Sequence, residues 1–114
     1  MKQFTTPEQT AKLIWLGLPK PKSIMEIITP YDGVSLLTFR EAKASEVEYI
    51  RNYSIGELIE MLPRDRGGCP LMIDGNLIFE KWAVYYEGAK GFSRDELIDA
   101  LYDMILKLKE EGVI

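Results

Sequence analysis

Histidine is absent from this chain, and cysteine occurs once, at Cys69. The first absence removes the side chain most used for proton transfer near neutral pH and the commonest transition-metal ligand. The second excludes an internal disulfide and any zinc-finger spacing, and it fits a reducing compartment. Long apolar runs are missing as well. No stretch approaches the roughly 20 residues of a membrane span, and Met1-Lys2-Gln3-Phe4 lacks the core of a signal peptide. The expectation is a cytoplasmic protein without membrane contact, metal or cofactor.

Basic charge is scarce in one half. Residues 1–53 hold seven Lys/Arg against six Asp/Glu, whereas residues 54–114 hold seven against twelve. The second half therefore carries the excess behind the net charge of −4. An acidic half opposes a phosphate backbone, which argues against broad nucleic-acid binding. It suits solubility or a basic protein surface.

What is present is ordinary for a globular domain. The chain has 114 residues, 46% hydrophobic and 28% charged, a length that suits one domain over 1–114. No internal repeat or low-complexity segment interrupts it.

Local signals are strong at three helices. Thr6-Pro7-Glu8-Gln9 reads as a capping box with proline in the first turn, and Gly17 and Pro19 stop that helix. Its apolar residues, Ala11, Leu13, Ile14, Trp15, Leu16 and Leu18, leave a narrow polar face, so cover is expected on more than one side. Ser54 and Glu57 form a second box, with Tyr53 and Leu58 placed for a hydrophobic staple and Pro63 as the end. Ser93-Arg94-Asp95-Glu96 reads as a third box. It opens a helix whose buried face is Leu97, Ile98, Leu101, Met104, Ile105 and Leu108. Lys107 and Lys109 suit its C-terminal end, Gly112 takes the left-handed stop, and Val113 folds back on Leu108.

Between the helices lie β-rich runs. Ile24–Thr29 and Val34–Arg40 flank the turn Pro30-Tyr31-Asp32-Gly33. Residues 41–52 match helix and strand templates equally. Leu71–Ile73 and Leu77–Phe79 read as strands about the tight turn Asp74-Gly75-Asn76, and Trp82–Tyr86 reads as a further strand or as a continuation after a bend at Glu80-Lys81. Alternation puts Trp82, Val84 and Tyr86 on one face and Tyr85 on the other. The whole predicts an α+β fold, a small antiparallel sheet covered on one face by three helices.

Candidate chemistry is sparse. Cys69 has Arg64 and Arg66 nearby in sequence, but no imidazole to take its proton. Asp95, Asp99 and Asp103 follow at four-residue spacing along one helix, which spreads carboxylates instead of converging them on a cation. Gly67-Gly68 lacks the lysine of a phosphate loop. Tyr85 is the one credible exposed aromatic of its strand, and Trp15 adds apolar surface suited to self-association or a partner. The contact candidates are therefore Tyr85, Trp15, Arg64, Arg66, Glu57 and Asp99, with no catalytic or metal-binding set.

The Thr6-Pro7-Glu8-Gln9-Thr10 opening, the block from Tyr53 to Pro63, and Glu96–Ile114 after the strand Trp82-Ala83-Val84-Tyr85 together resemble small uncharacterised proteins of phages and integrated mobile elements of gut Bacteroidales. The resemblance covers about half the chain, and residues 23–52 lie outside it. It implies a setting and no activity, since no catalytic residues carry over. The leading expectation is a non-enzymatic accessory protein acting through protein–protein contacts, including a possible homodimer. The alternatives are a small enzyme or ligand-binding protein, in which Glu57 or Asp99 meets Tyr85 or Arg64 in a pocket, and a weak nucleic-acid contact through Lys20, Lys22, Arg64 and Arg66.

Overall fold

Residues 1–22, 24–29, 33–37, 49–76 and 78–114 are described by the computed structural model. They divide into two units, Phe4–Ser54 and the pairing of Met1–Gln3 with Ile55–Ile114.

In the first unit, α1 (Pro7–Trp15) starts at the expected cap. The Gln9 N–H donates to Thr6 Oγ1 at 3.2 Å and the Thr6 N–H to Gln9 Oε1 at 2.9 Å. Two of the helix's orphan amides are thereby satisfied. Gly17 adopts φ +88° and its N–H bonds back to the Ile14 carbonyl, ending the helix as its position suggests. The expected cover on several sides is not found among the described residues. α1 buries Thr10 and Leu13, while Ile14 is exposed and Trp15 is 77% exposed. Lys12 lies over the Trp15 ring at 4.9 Å, a cation–π contact that shields part of it.

Strands β1 (Ile24–Thr29), β2 (Gly33–Leu37) and β3 (Tyr49–Asn52) form an antiparallel sheet in the order β2-β1-β3. The expected hairpin is present, with Thr29 paired to Gly33, although its turn at 30–32 lies outside the described residues. The ambiguous stretch 41–52 ends as strand over 49–52, and 41–48 also lie outside them.

α1 and β3 meet at a buried polar knot. The Tyr53 N–H donates to Thr5 Oγ1 at 3.0 Å, and the Thr5 N–H to the Tyr53 carbonyl at 2.9 Å. Thr5 and Thr10 hydroxyls bond at 2.7 Å, and the Thr10 hydroxyl donates to Asn52 Oδ1. All of these residues are almost fully buried. Such a chain holds an N-terminal segment to a strand far away in sequence, because breaking one link strands its neighbours away from water. Asn52 Nδ2 is buried without a partner. The Tyr53 hydroxyl, at the edge of the knot, donates to the Pro19 carbonyl at 2.5 Å.

The second unit holds α2 (Ile55–Met61), β4 (Asp65–Arg66), β5 (Cys69–Asn76), β6 (Lys81–Tyr86), β7 (Phe92–Arg94) and α3 (Leu97–Glu110). Its sheet is antiparallel in the order β4-β5-β6-β7. α3 packs on β6 and β7, with α2 against its side, so the fold is α+β. The α3 face is the one the periodicity marks: Leu97, Ile98, Ala100, Leu101, Met104, Ile105 and Leu108 are all buried. Each of the large ones contributes roughly 1.5–3 kcal/mol through burial. The C-terminal stop is a full Schellman motif. Gly112 sits at φ +74°, its N–H bonds to the Lys109 carbonyl, and the Val113 N–H reaches Leu108 at 2.9 Å.

Two local expectations are corrected here. The helix does not begin at Ser93, because Phe92–Arg94 pairs with Trp82–Val84 as β7. Glu96 is the N-cap residue and makes no side-chain cap bond; its carboxylate accepts the Lys2 N–H at 2.8 Å instead. The hairpin between β5 and β6 is also displaced. Asp74, Gly75 and Asn76 are strand residues paired with Ala83, Trp82 and Lys81, and Ile78 and Phe79 lie in the connecting turn. The longer ladder gains three rungs that a turn at Asp74-Gly75-Asn76 would forfeit.

Candidate interaction surface

Asn76 organises the tip of the β5–β6 hairpin. Its Oδ1 accepts from the N–H groups of Ile78 at 3.0 Å and Phe79 at 3.2 Å, an Asx turn that replaces ladder bonds. Glu80 then takes a left-handed conformation, φ +52°, which returns the chain to β6. The outcome is that Ile78 is 86% and Phe79 70% exposed. Behind them the Trp82 ring lies across Gly75, where a Cβ would come within 3.2 Å of it. Gly75, Asn76, Glu80, Lys81 and Trp82 line a recess of about 320 Å³.

Alternation sorts the sheet's two faces. Leu71, Ile73, Gly75, Trp82, Val84, Tyr86 and Phe92 share the α3 side by register. Lys107 of α3 stands 5.9 Å from the Phe92 ring, and Arg94 bonds to Asp103 at 2.8 Å, as that placement requires. Met72, Asp74, Ala83 and Tyr85 share the other side. There the Tyr85 hydroxyl donates to Asp74 Oδ2 at 2.5 Å. That hydrogen bond, ahead of desolvation and the nearby negative charges, raises the Tyr85 pKa above the ordinary phenol value.

A second recess, about 490 Å³, is lined by Arg66, Gly67, Cys69, Tyr86, Glu87, Gly88 and Ala89. Its cation is engaged: Arg66 pairs with Glu111 at 3.1 Å and lies 5.9 Å from the Tyr86 ring. The Tyr86 hydroxyl donates to the Pro63 carbonyl at 2.8 Å. Burial raises its pKa, with Arg66 pulling the other way. Cys69 is half-buried and free.

The six residues singled out from sequence are dispersed. Tyr85 is half-buried on the outer sheet face, bonded to Asp74. Asp99 sits on α3, beyond the opposite face, and pairs with Lys2 at 3.6 Å. Arg64 is exposed, and its carbonyl accepts the Leu71 N–H at 2.9 Å. Glu57 is half-buried on α2, and Arg66 lines the larger recess. Trp15 belongs to the other unit. Among the described residues, no group of three or more acidic or cysteine side chains is placed to hold a metal. No described helix is long and apolar enough to cross a membrane.

Sequence reasoning missed Ile78 and Phe79, because Leu77-Ile78-Phe79 reads as strand. The available signal was Asn76, whose side chain can cap the two amides that follow it.

Comparison with protein-family models, curated proteins and solved structures returns no significant likeness.

Proposed function

We propose that this chain is a non-enzymatic accessory protein of a phage or mobile element, acting by protein–protein contact through the tip of the β5–β6 hairpin. The observation that supports this reading is the pair Ile78 and Phe79, two large exposed apolar side chains whose N–H groups are both held by Asn76 Oδ1. Residues whose amides are already bonded lose less conformational entropy on binding, and an aromatic anchor beside an aliphatic one can form the core of an interface. The phage or mobile-element setting rests on the resemblance of the helix caps and of the Trp82–Tyr85 strand.

The test is a pull-down from cells expressing the matching element, with the native chain and an Ile78→Ser/Phe79→Ser variant side by side. The expected result is a partner retained by the native chain and lost by the variant. Equal recovery by both, or no partner for either, refutes the reading.

A further inference from the structure

Over residues 73–75 the outer edge of β5 has no strand partner among the described residues. Its N-terminal end is covered by β4, and the Arg64 carbonyl takes the Leu71 N–H, which shows that Leu71 faces away from β6. The Glu87 N–H bonds to the Pro70 carbonyl, so Pro70, Met72, Asp74 and Asn76 face β6. Strand alternation then turns the N–H and C=O groups of Ile73 and Gly75 outward. Among the described residues no strand pairs with them.

The side chains along this edge specify what fits it. Gly75 lets the Trp82 ring lie across the strand at this edge, on the face that also carries the half-buried Ile73. A residue opposite Gly75 reaches that ring directly, and one opposite Ile73 extends the same apolar face. Between them, Asp74 projects to the other face. Its carboxylate accepts one hydrogen bond, from Tyr85, of the roughly four it can take. The residue opposite Asp74 is therefore favoured when it is basic.

We infer that the β5 edge accepts an extended antiparallel segment of another protein with the pattern large apolar, basic, large apolar, set opposite Gly75, Asp74 and Ile73. This narrows the proposed protein–protein role to one partner chemistry and rests on it. A second copy of this chain fits poorly. Pairing Ile73 with a partner's Gly75 sets Asp74 against Asp74, and like charges directly opposite are destabilising. Pairing Ile73 with Ile73 brings Gly75 against Leu71, where Arg64 already sits.

The experiment uses the full chain and two blocked ten-residue peptides in threonine-rich flanks, one with a Leu-Lys-Leu core and one with Leu-Glu-Leu, followed by backbone amide NMR. Leu-Lys-Leu is expected to slow amide exchange at Ile73 and Gly75 and to bind tighter than Leu-Glu-Leu, on the order of five-fold. Asp74→Lys is expected to reverse that order and the milder Asp74→Asn to level it. The inference is overturned if neither peptide changes those two amides. It is equally overturned if Asp74→Lys and Asp74→Asn both leave the order intact, or if the free chain is already a dimer with both amides protected. If the peptides fail while the Ile78→Ser/Phe79→Ser pull-down still discriminates, the edge is refuted and the tip stands. If both fail, the protein–protein role goes with them.

Discussion

Gly91 is the position where one methyl group should matter most. It lies opposite Tyr85, one residue before β7. A Cβ built there would sit 2.8 Å from Tyr85 Cα and closer still to Tyr85 Cβ and the Val84 carbonyl oxygen. Carbon atoms pack best at about 3.5–4.0 Å, so Gly91→Ala must push β7 off β6 by about 1 Å. The obstructing groups are mostly backbone, and no side-chain rotation relieves them. Overpacking of this kind costs typically 1–3 kcal/mol, and strain on the neighbouring Val84–Phe92 rung puts the total near the top of that range, about 3 kcal/mol. With a urea slope of about 1.5 kcal/mol/M, the midpoint should fall by about 2 M. Gly88→Ala is the control. Gly88 has φ +81° with open space around it, so its cost is conformational only, about 1 kcal/mol. Urea titrations followed by circular dichroism measure both. A Gly91→Ala midpoint no lower than that of Gly88→Ala would refute the close-approach reasoning.

Other perturbations follow from the same contacts. Thr10→Val keeps the shape of the knot but removes the hydroxyl shared by Thr5 and Asn52, and should cost about 1–3 kcal/mol in urea unfolding; a neutral result would mean that the knot contributes nothing. Asp74→Ala should lower the Tyr85 pKa toward about 10, seen as an earlier phenolate absorbance change that Tyr85→Phe abolishes. The sign is that of an acid held neutral by folding: the stabilisation from this bond is complete below the unfolded pKa, about 10, and is lost as pH rises through the higher folded value. Ile78→Ser/Phe79→Ser should leave stability within about 0.5 kcal/mol, since neither side chain packs in the core; a larger loss would show that the tip is structural.

Signals that act within four residues were legible. The Thr6–Gln9 box, the Gly17 and Gly112 stops and the apolar stripe of α3 all appear where the sequence puts them. Each is a local bond or a periodicity that no distant segment contests. Distant competition accounts for the failures. Ser93–Glu96 satisfies the pattern of a capping box, yet pairing with β6 claims Phe92–Arg94, and Lys2 claims the Glu96 carboxylate from 94 residues away. The Thr10–Asn52 bond spans 42 residues, and nothing around either residue announces it.

The proposed contact surface was the least legible part, and its energetics explain why two features must act together. Full burial of Ile78 and Phe79 returns roughly 1.5–3 kcal/mol each. Association costs an estimated 4–15 kcal/mol in lost translational and rotational freedom. The tip alone therefore matches only the low end of that cost. The outer edge of β5 ends at Asn76, the same residue that caps the tip, so a segment paired with Ile73 and Gly75 runs toward Ile78 and Phe79. Backbone pairing along the edge adds directional bonds where the tip adds apolar area. A partner that engaged both would combine the two terms, whereas one engaging either alone would bind weakly. Variants of either surface should on this reasoning each weaken a partner that engages both, the tip variant through lost apolar area and the edge variant through lost directional bonds.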